Sequence, residues 1–166
     1  DDFIVTAKDR ETIETVILPL VRNFMAERGL TLSEEKTKIT HISEGFDFLG
    51  FNIRKFPNNT LLTQPSSDAK KRFCDKIRKV IESNKTAKQH SLIKMLNPII
   101  TGWGNYYKYG TSAETFHRVD WEIHRKLWQW ARRRHSNKSK GWIKDKYFKT
   151  VNGRKWRFMA DMEERS

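Results

Sequence analysis

TSAETFHRVDWEIHRKLWQWARRRH, residues 111–135, reads as one long amphipathic helix. Thr111 stands three residues before Glu114, the capping-box spacing in which each side chain satisfies a free backbone donor at a helix start. Phe116, Val119, Ile123, Leu127 and Trp130 recur at helical spacing and make one apolar stripe. Off that stripe stand Arg118, Arg125, Lys126 and the run Arg132, Arg133, Arg134, with Trp121 and Trp128 on a flank. Charged residues ordinarily sit on a solvated face, and cations at a helix carboxyl end also suit its dipole. The rest of the chain turns the reading towards a polyanion partner.

The chain of 166 residues carries a formal net charge of +13 and a pI near 10.0. That excess argues for phosphate or membrane-surface partners rather than for any fold. It is also segregated. Residues 1–66 hold 8 Lys/Arg against 10 Asp/Glu, a net of −2, whereas residues 67–166 hold 25 against 10, a net of +15. The basic part carries five of the six tryptophans between Trp103 and Trp142, which favours nucleic acid. No apolar run is long enough for a bilayer, and no membrane partner is expected. Cys74 is the only cysteine, so an intrachain disulfide and a cysteine zinc knuckle are excluded and a reducing compartment is expected. His117 and His124 lie seven apart, too far for the one-turn pair that binds zinc. The chain opens at Asp1-Asp2 directly before an apolar run, and is expected to be a piece of a longer protein.

Taken in order, Phe3 to Ala7 reads as a short strand with two carboxylates ahead of it. Asp9 caps an amphipathic helix with Ile13, Val16, Ile17, Leu20, Val21, Phe24 and Met25 on one face, a kink at Pro19 and Gly29 at its end. Lys36–Ile42 and Phe46–Phe56 read as two strands around a Ser43-Glu44-Gly45 turn, and Leu61-Leu62-Thr63 as a third. After Gln64-Pro65-Ser66-Ser67 the pattern turns helical and basic. One helix spans about Ser67–Glu82, another starts near Gln89 and bends at Pro98, and the long helix follows, a three-helix bundle. A short helical or irregular piece starts at Lys140, and Val151-Asn152-Gly153-Arg154 signals a hairpin. The expected class is α+β: a small sheet with one helix over residues 1–66, a mainly helical domain with a terminal hairpin over 67–160, and a tail at 161–166.

Paired aspartates at the edge of an apolar run suit hard cations such as Mg²⁺; a surface turn is the alternative reading of the pair. In company the pair gains meaning. Asp1-Asp2-Phe3-Ile4-Val5 resembles the carboxyl side of the Tyr-x-Asp-Asp turn of reverse transcriptases. Leu32 to Ile39 resembles the segment after the next palm helix, and Phe48-Leu49-Gly50-Phe51 resembles the primer-grip hairpin. Leu96 to Tyr107, Phe116, Trp128, Trp130 to His135 and Lys146-Tyr147-Phe148 resemble the maturase-specific domain of group II intron-encoded proteins.

The resemblance implies the closing elements of a palm followed by a thumb and maturase domain. Asp1 and Asp2 would be two of three catalytic carboxylates and would bind Mg²⁺. Lys36 would approach nucleotide phosphates, with a solvated strand lysine as the alternative, and Phe48, Leu49, Gly50 and Phe51 would set the primer end. Lys70, Lys71, Arg125, Arg132, Arg133, Arg134, Lys138, Lys140 and Lys144 would contact RNA, while Trp103, Trp128 and Trp130 are assigned to the core. At least one of Tyr106, Tyr107 and Tyr109 must lie near the surface. The implied whole is an RNA-directed DNA polymerase and splicing factor with intron RNA, template–primer duplex and deoxynucleotides as partners, in a bacterial cytoplasm or an organelle. The isolated piece would bind RNA without polymerising. Two alternatives stay open: a non-catalytic RNA-binding splicing protein, and a reverse transcriptase of a related retroelement without a splicing role.

Overall fold

The computed structural model describes residues 2–160, so Asp1 and the expected tail at 161–166 lie outside the described residues. The fold is α+β. It divides into two compact units, one of residues 1–48 and 53–61 and the other of residues 49–52 and 62–166.

In the first unit, Asp9 caps the opening helix as expected, its carboxylate accepting from the Thr12 amide at 2.8 Å. The helix runs as α1 (Arg10–Thr12), a π-helical stretch over Ile13–Ile17, then α2 (Leu18–Ala26). The irregularity expected at Pro19 thus takes the form of a π turn just ahead of it, where the Leu18 amide reaches Ile13 O. Pro19 has no amide to donate, and its ring would crowd the carbonyl four residues back. Gly29 ends the helix at φ +68°. Two expected strands do not form. Phe3, Ile4 and Val5 are exposed and belong to no described strand, and Lys36–Ile42 is a turn followed by irregular chain. β-branched composition favours a strand only where a neighbour supplies the ladder.

The expected single strand Phe46–Phe56 is broken into β1 (Phe46–Phe48) and β2 (Phe51–Lys55), and β3 (Leu61–Pro65) completes a sheet of order β1-β2-β3. The break is the two-residue turn Leu49-Gly50, both at positive φ (+48° and +81°), the signature of a primed hairpin turn. The Ser43–Gly45 turn is present as well, and beside it the Lys55 amide bonds Ile42 O at 2.9 Å.

The second unit is built on α3 (Ser67–Ser83), α4 (Gln89–Tyr107) and α5 (Ala113–Arg134), joined by a fourth helix α6 (Lys140–Tyr147) and the hairpin β4 (Phe148–Val151) and β5 (Arg154–Phe158). Ser66 caps α3 through its hydroxyl, which accepts from Ala69 N at 3.1 Å. The expected capping box of α5 does not form: the cap is Ser112, one residue later, and its hydroxyl donates back to Tyr107 O at 3.0 Å. Thr111 is instead drawn into the fold by its amide, which bonds Thr63 O at 2.7 Å. The α5 stripe reads as expected. Val119, Ile123, Leu127 and Trp130 are buried against Phe73, Ile77 and Ile81 of α3 and Leu92 and Leu96 of α4. Ile143, Tyr147 and Phe148 close the same core from α6 and β4. Each fully buried aliphatic side chain there contributes about 1.5–3 kcal/mol relative to exposure. Asn152 and Gly153 turn the terminal hairpin at φ +49° and +75°, so the Asn-Gly signal held. Cys74 sits half-buried at the core edge, as expected of filler, and burial first, then Glu122 and Asp75, push its thiol pKa up.

His124 exposes a consequence of this packing. It lies against Phe148 at 5.0 Å between ring centroids, and its Nε2 is buried without a hydrogen-bond partner. Burial holds its pKa below the ordinary 6.5, so the native state resists a proton that the unfolded chain accepts. Stability is therefore greatest above the unfolded value and falls as pH drops through and below about 6.5. The melting temperature, followed by circular dichroism, should decline from about pH 8 to about pH 5. His124→Phe should flatten part of that decline; half-buried His135, whose pKa is also held down by burial and then by Lys146, Arg134 and Lys138, acts in the same direction.

Candidate nucleic-acid interface

The helical unit carries the positive surplus, and the structure shows how it is arranged. Lys138, in the connection ahead of α6, and Lys146 on α6 place their ammonium groups over the Trp142 ring at 5.5 and 4.8 Å from its centroid, and His135 meets the same indole edge-on at 4.7 Å. Lys144 sits over Trp156 of β5 at 5.4 Å. Trp142 and Trp156 are both exposed. On α5, the exposed Trp121 lies beneath Arg125, which also pairs with Glu122 at 2.8 Å. These are flat π faces flanked by cations, the combination that stacks unpaired bases while neutralising their phosphates.

The expected RNA-contact residues fall into distinct settings. Lys70 and Lys71 are on α3, Lys70 half-buried and Lys71 exposed; Arg132, Arg133, Lys138 and Lys140 are exposed, and Lys144 is half-buried. Arg134 has a second task, since its Nη1 donates to Lys85 O at 2.7 Å and Ala87 O at 2.9 Å while its guanidinium lies 4.5 Å from the Trp130 ring centroid. It ties the α3–α4 connection to α5. Trp130 is buried and donates to Asn84 O at 2.9 Å, and Trp103 and Trp128 are partly buried against the core. The exposed indoles are therefore Trp121, Trp142 and Trp156, none of them singled out by the sequence as a platform. Their signal was present: each lies off the apolar stripe and within helical or hairpin reach of a lysine or arginine.

Leu49 to Phe51 belong to the helical unit, held by tyrosines at the end of α4. Tyr106 donates to Leu49 O at 2.7 Å and Tyr107 to Gly50 O at 3.1 Å. The Phe51 ring meets theirs at 5.4 and 4.8 Å. Burial, then Tyr106, raises the Tyr107 pKa above 10.0, which keeps the phenol a donor. Tyr107 is buried, whereas Tyr106 and Tyr109 are exposed, as the helical geometry required. Phe48 lies at the end of β1 in the first unit and is half-buried.

Lys36 and Asp2 are exposed in the first unit. Asp1, the other expected metal ligand, lies outside the described residues. Among the described residues no group of three or more His, Cys, Asp or Glu converges on a point that could hold a metal ion. The donor chemistry of an exposed aspartate beside a second one in sequence fits Mg²⁺, which prefers one or two carboxylates and keeps its remaining water. No helix is long and apolar enough to cross a membrane among those residues.

Two family models match the chain. Residues 1–53 are similar to the reverse transcriptase (RNA-dependent DNA polymerase) family, and residues 70–148 to the maturase-specific domain of group II introns. Between them they span most of the sequence, in the order that the motifs indicated. No curated protein gives a significant match.

Proposed function

This chain belongs to the group II intron-encoded reverse transcriptase/maturase family, and we propose that its helical unit binds intron RNA and template–primer duplex while its first unit contributes to an RNA-directed polymerase site. In this reading residues 1–66 are the end of a palm with a primer-grip-like hairpin, and residues 67–160 are thumb and maturase domain. The observation that carries it is the set of lysine- and arginine-flanked tryptophans on α5, α6 and β5. An ordinary solvated basic face has no reason to expose tryptophan next to each cation group.

Asp1 and Asp2 would hold Mg²⁺, which would supply charge neutralisation at the transferring phosphate. The chain's own residues do the positioning. Tyr106 and Tyr107 fix the backbone of Leu49 and Gly50 by hydrogen bonds, so the hairpin tip stays rigid against a primer end. Lysines on α6 neutralise RNA phosphates beside the indoles. Lys36 would approach the phosphates of an incoming deoxynucleotide. The host compartment would be a bacterial cytoplasm or an organelle. Substituting Lys138, Lys144 and Lys146 by glutamine in the intact protein should weaken intron RNA binding by about tenfold and lower the salt slope of log affinity by about 0.7 per lost contact. Splicing should slow in parallel. Unchanged splicing with weakened duplex binding would favour a retroelement polymerase without a splicing role.

A further inference from the structure

A cleft of about 290 Å³ opens where the end of α3, the following loop and the carboxyl half of α5 meet. Its volume falls just below the range of about 300–1,000 Å³ typical of ligand sites, a size for one small group rather than a large ligand. Lys85, Lys126, Arg133 and Arg134 line it, together with Gln129 and Glu82. We propose that this cleft receives one unpaired nucleotide of bound RNA, its base stacked on Arg134 and its flanking phosphates held by Lys126 and Arg133. The proposal rests on the RNA-binding reading above and adds a defined site to it.

Three observations support it. First, Arg134 is pre-organised: two loop carbonyls fix one end of the guanidinium, and Trp130 backs one side of its plane. Arg134 is exposed despite these contacts, and guanidinium planes are common stacking partners for splayed-out bases. Because the guanidinium is already immobilised, little entropy is lost when the base lands. Second, Lys126, Gln129, Trp130 and Arg133 lie at i, i+3, i+4 and i+7, on one face of α5. Lys126 and Arg133 are about 10 Å apart along the axis at 1.5 Å per residue, and their long, flexible side chains can converge from there on the phosphates either side of a single nucleotide. Third, Gln129 and Glu82 add amide and carboxylate groups to the lining, the kinds of group that meet the polar edge of a base. Glu82 accepts only, so it favours bases with an exocyclic amine over those without one.

The test uses the full chain and fluorescently labelled single-stranded RNA, read by anisotropy across a salt series. The probes are short oligocytidylate, oligouridylate and an abasic strand of the same length. Lys126→Gln with Arg133→Gln should weaken oligocytidylate binding by about tenfold and reduce the salt slope by about 1.4, two contacts at about 0.7 each. Lys8→Gln with Lys38→Gln, an equal loss of charge at exposed positions of the first unit, should change affinity less than about twofold. The wild-type chain should prefer oligocytidylate to oligouridylate and both to the abasic strand, and Glu82→Gln should erase the first preference. Equal losses from the two charge pairs, or no preference for bases over the abasic strand, would overturn the cleft. Absence of any RNA binding by the wild-type chain would instead overturn the RNA reading itself.

Discussion

If the proposed function holds, Asp1→Asn with Asp2→Asn in the intact protein is expected to lower RNA-templated DNA synthesis on the order of a thousandfold or more, with intron splicing close to its starting rate. The magnitude follows from the charge. Asparagine keeps the shape and one oxygen donor but removes both negative charges that would hold a divalent cation. Metal-assisted stabilisation of a transferring phosphoryl group is worth several kcal/mol, and about 4 kcal/mol is a thousandfold in rate. Splicing should persist because the cation–indole groups lie wholly in the helical unit. Asp9→Asn is the matched control. It removes one charge from the same unit yet preserves the cap on Thr12, since Asn and Asp cap equally well. DNA synthesis that survives the double substitution would make this chain a binding protein. Loss of both activities together with the fold would make the pair a structural turn.

Comparing sequence with structure shows which signals were local. The α5 stripe was legible because burial along a helix repeats every three to four residues, and Val119, Ile123, Leu127 and Trp130 needed only one neighbouring layer to be buried. The Asn152-Gly153 turn was legible because it depends on two residues' φ preference alone. Lys36–Ile42 was misread because its β-branched residues report strand propensity but not a partner. Thr111 was misread as a cap because its amide is taken by Thr63, distant in sequence, which moves the helix start to Ser112. The Leu49-Gly50 turn was hidden for another reason: leucine at positive φ is uncommon, and the tyrosines that stabilise it lie 57 residues away. Cation–indole pairing between Lys144 and Trp156 likewise required the terminal hairpin to fold back on α6.

Gly50→Val is expected to destabilise the helical unit by about 3–5 kcal/mol, seen as a lowered denaturant midpoint with an unchanged slope. Gly50 has φ +81°, where a β-branched residue is strained by about 1–3 kcal/mol. A Cβ there would stand 2.6 Å from the Tyr107 hydroxyl. Tyr107 cannot withdraw freely, because its ring is buried against Phe51 and Trp103, at 4.8 Å from each. Overpacking of this kind costs about 1–3 kcal/mol, and losing the bond to Gly50 O adds about 0.5–1.5 kcal/mol. The two contributions can be separated. Tyr107→Phe removes the hydroxyl, so in its background the valine should retain the φ strain and lose most of the steric penalty, a coupling measurable in a double-mutant cycle. Additive losses would mean that the close approach of Tyr107 carries none of the effect. The resemblance assigns Gly50 to close approach by a primer, whereas in the folded chain a tyrosine already occupies that approach. The residue thus joins two demands, a left-handed turn and room for the α4 phenol, before any nucleic acid arrives.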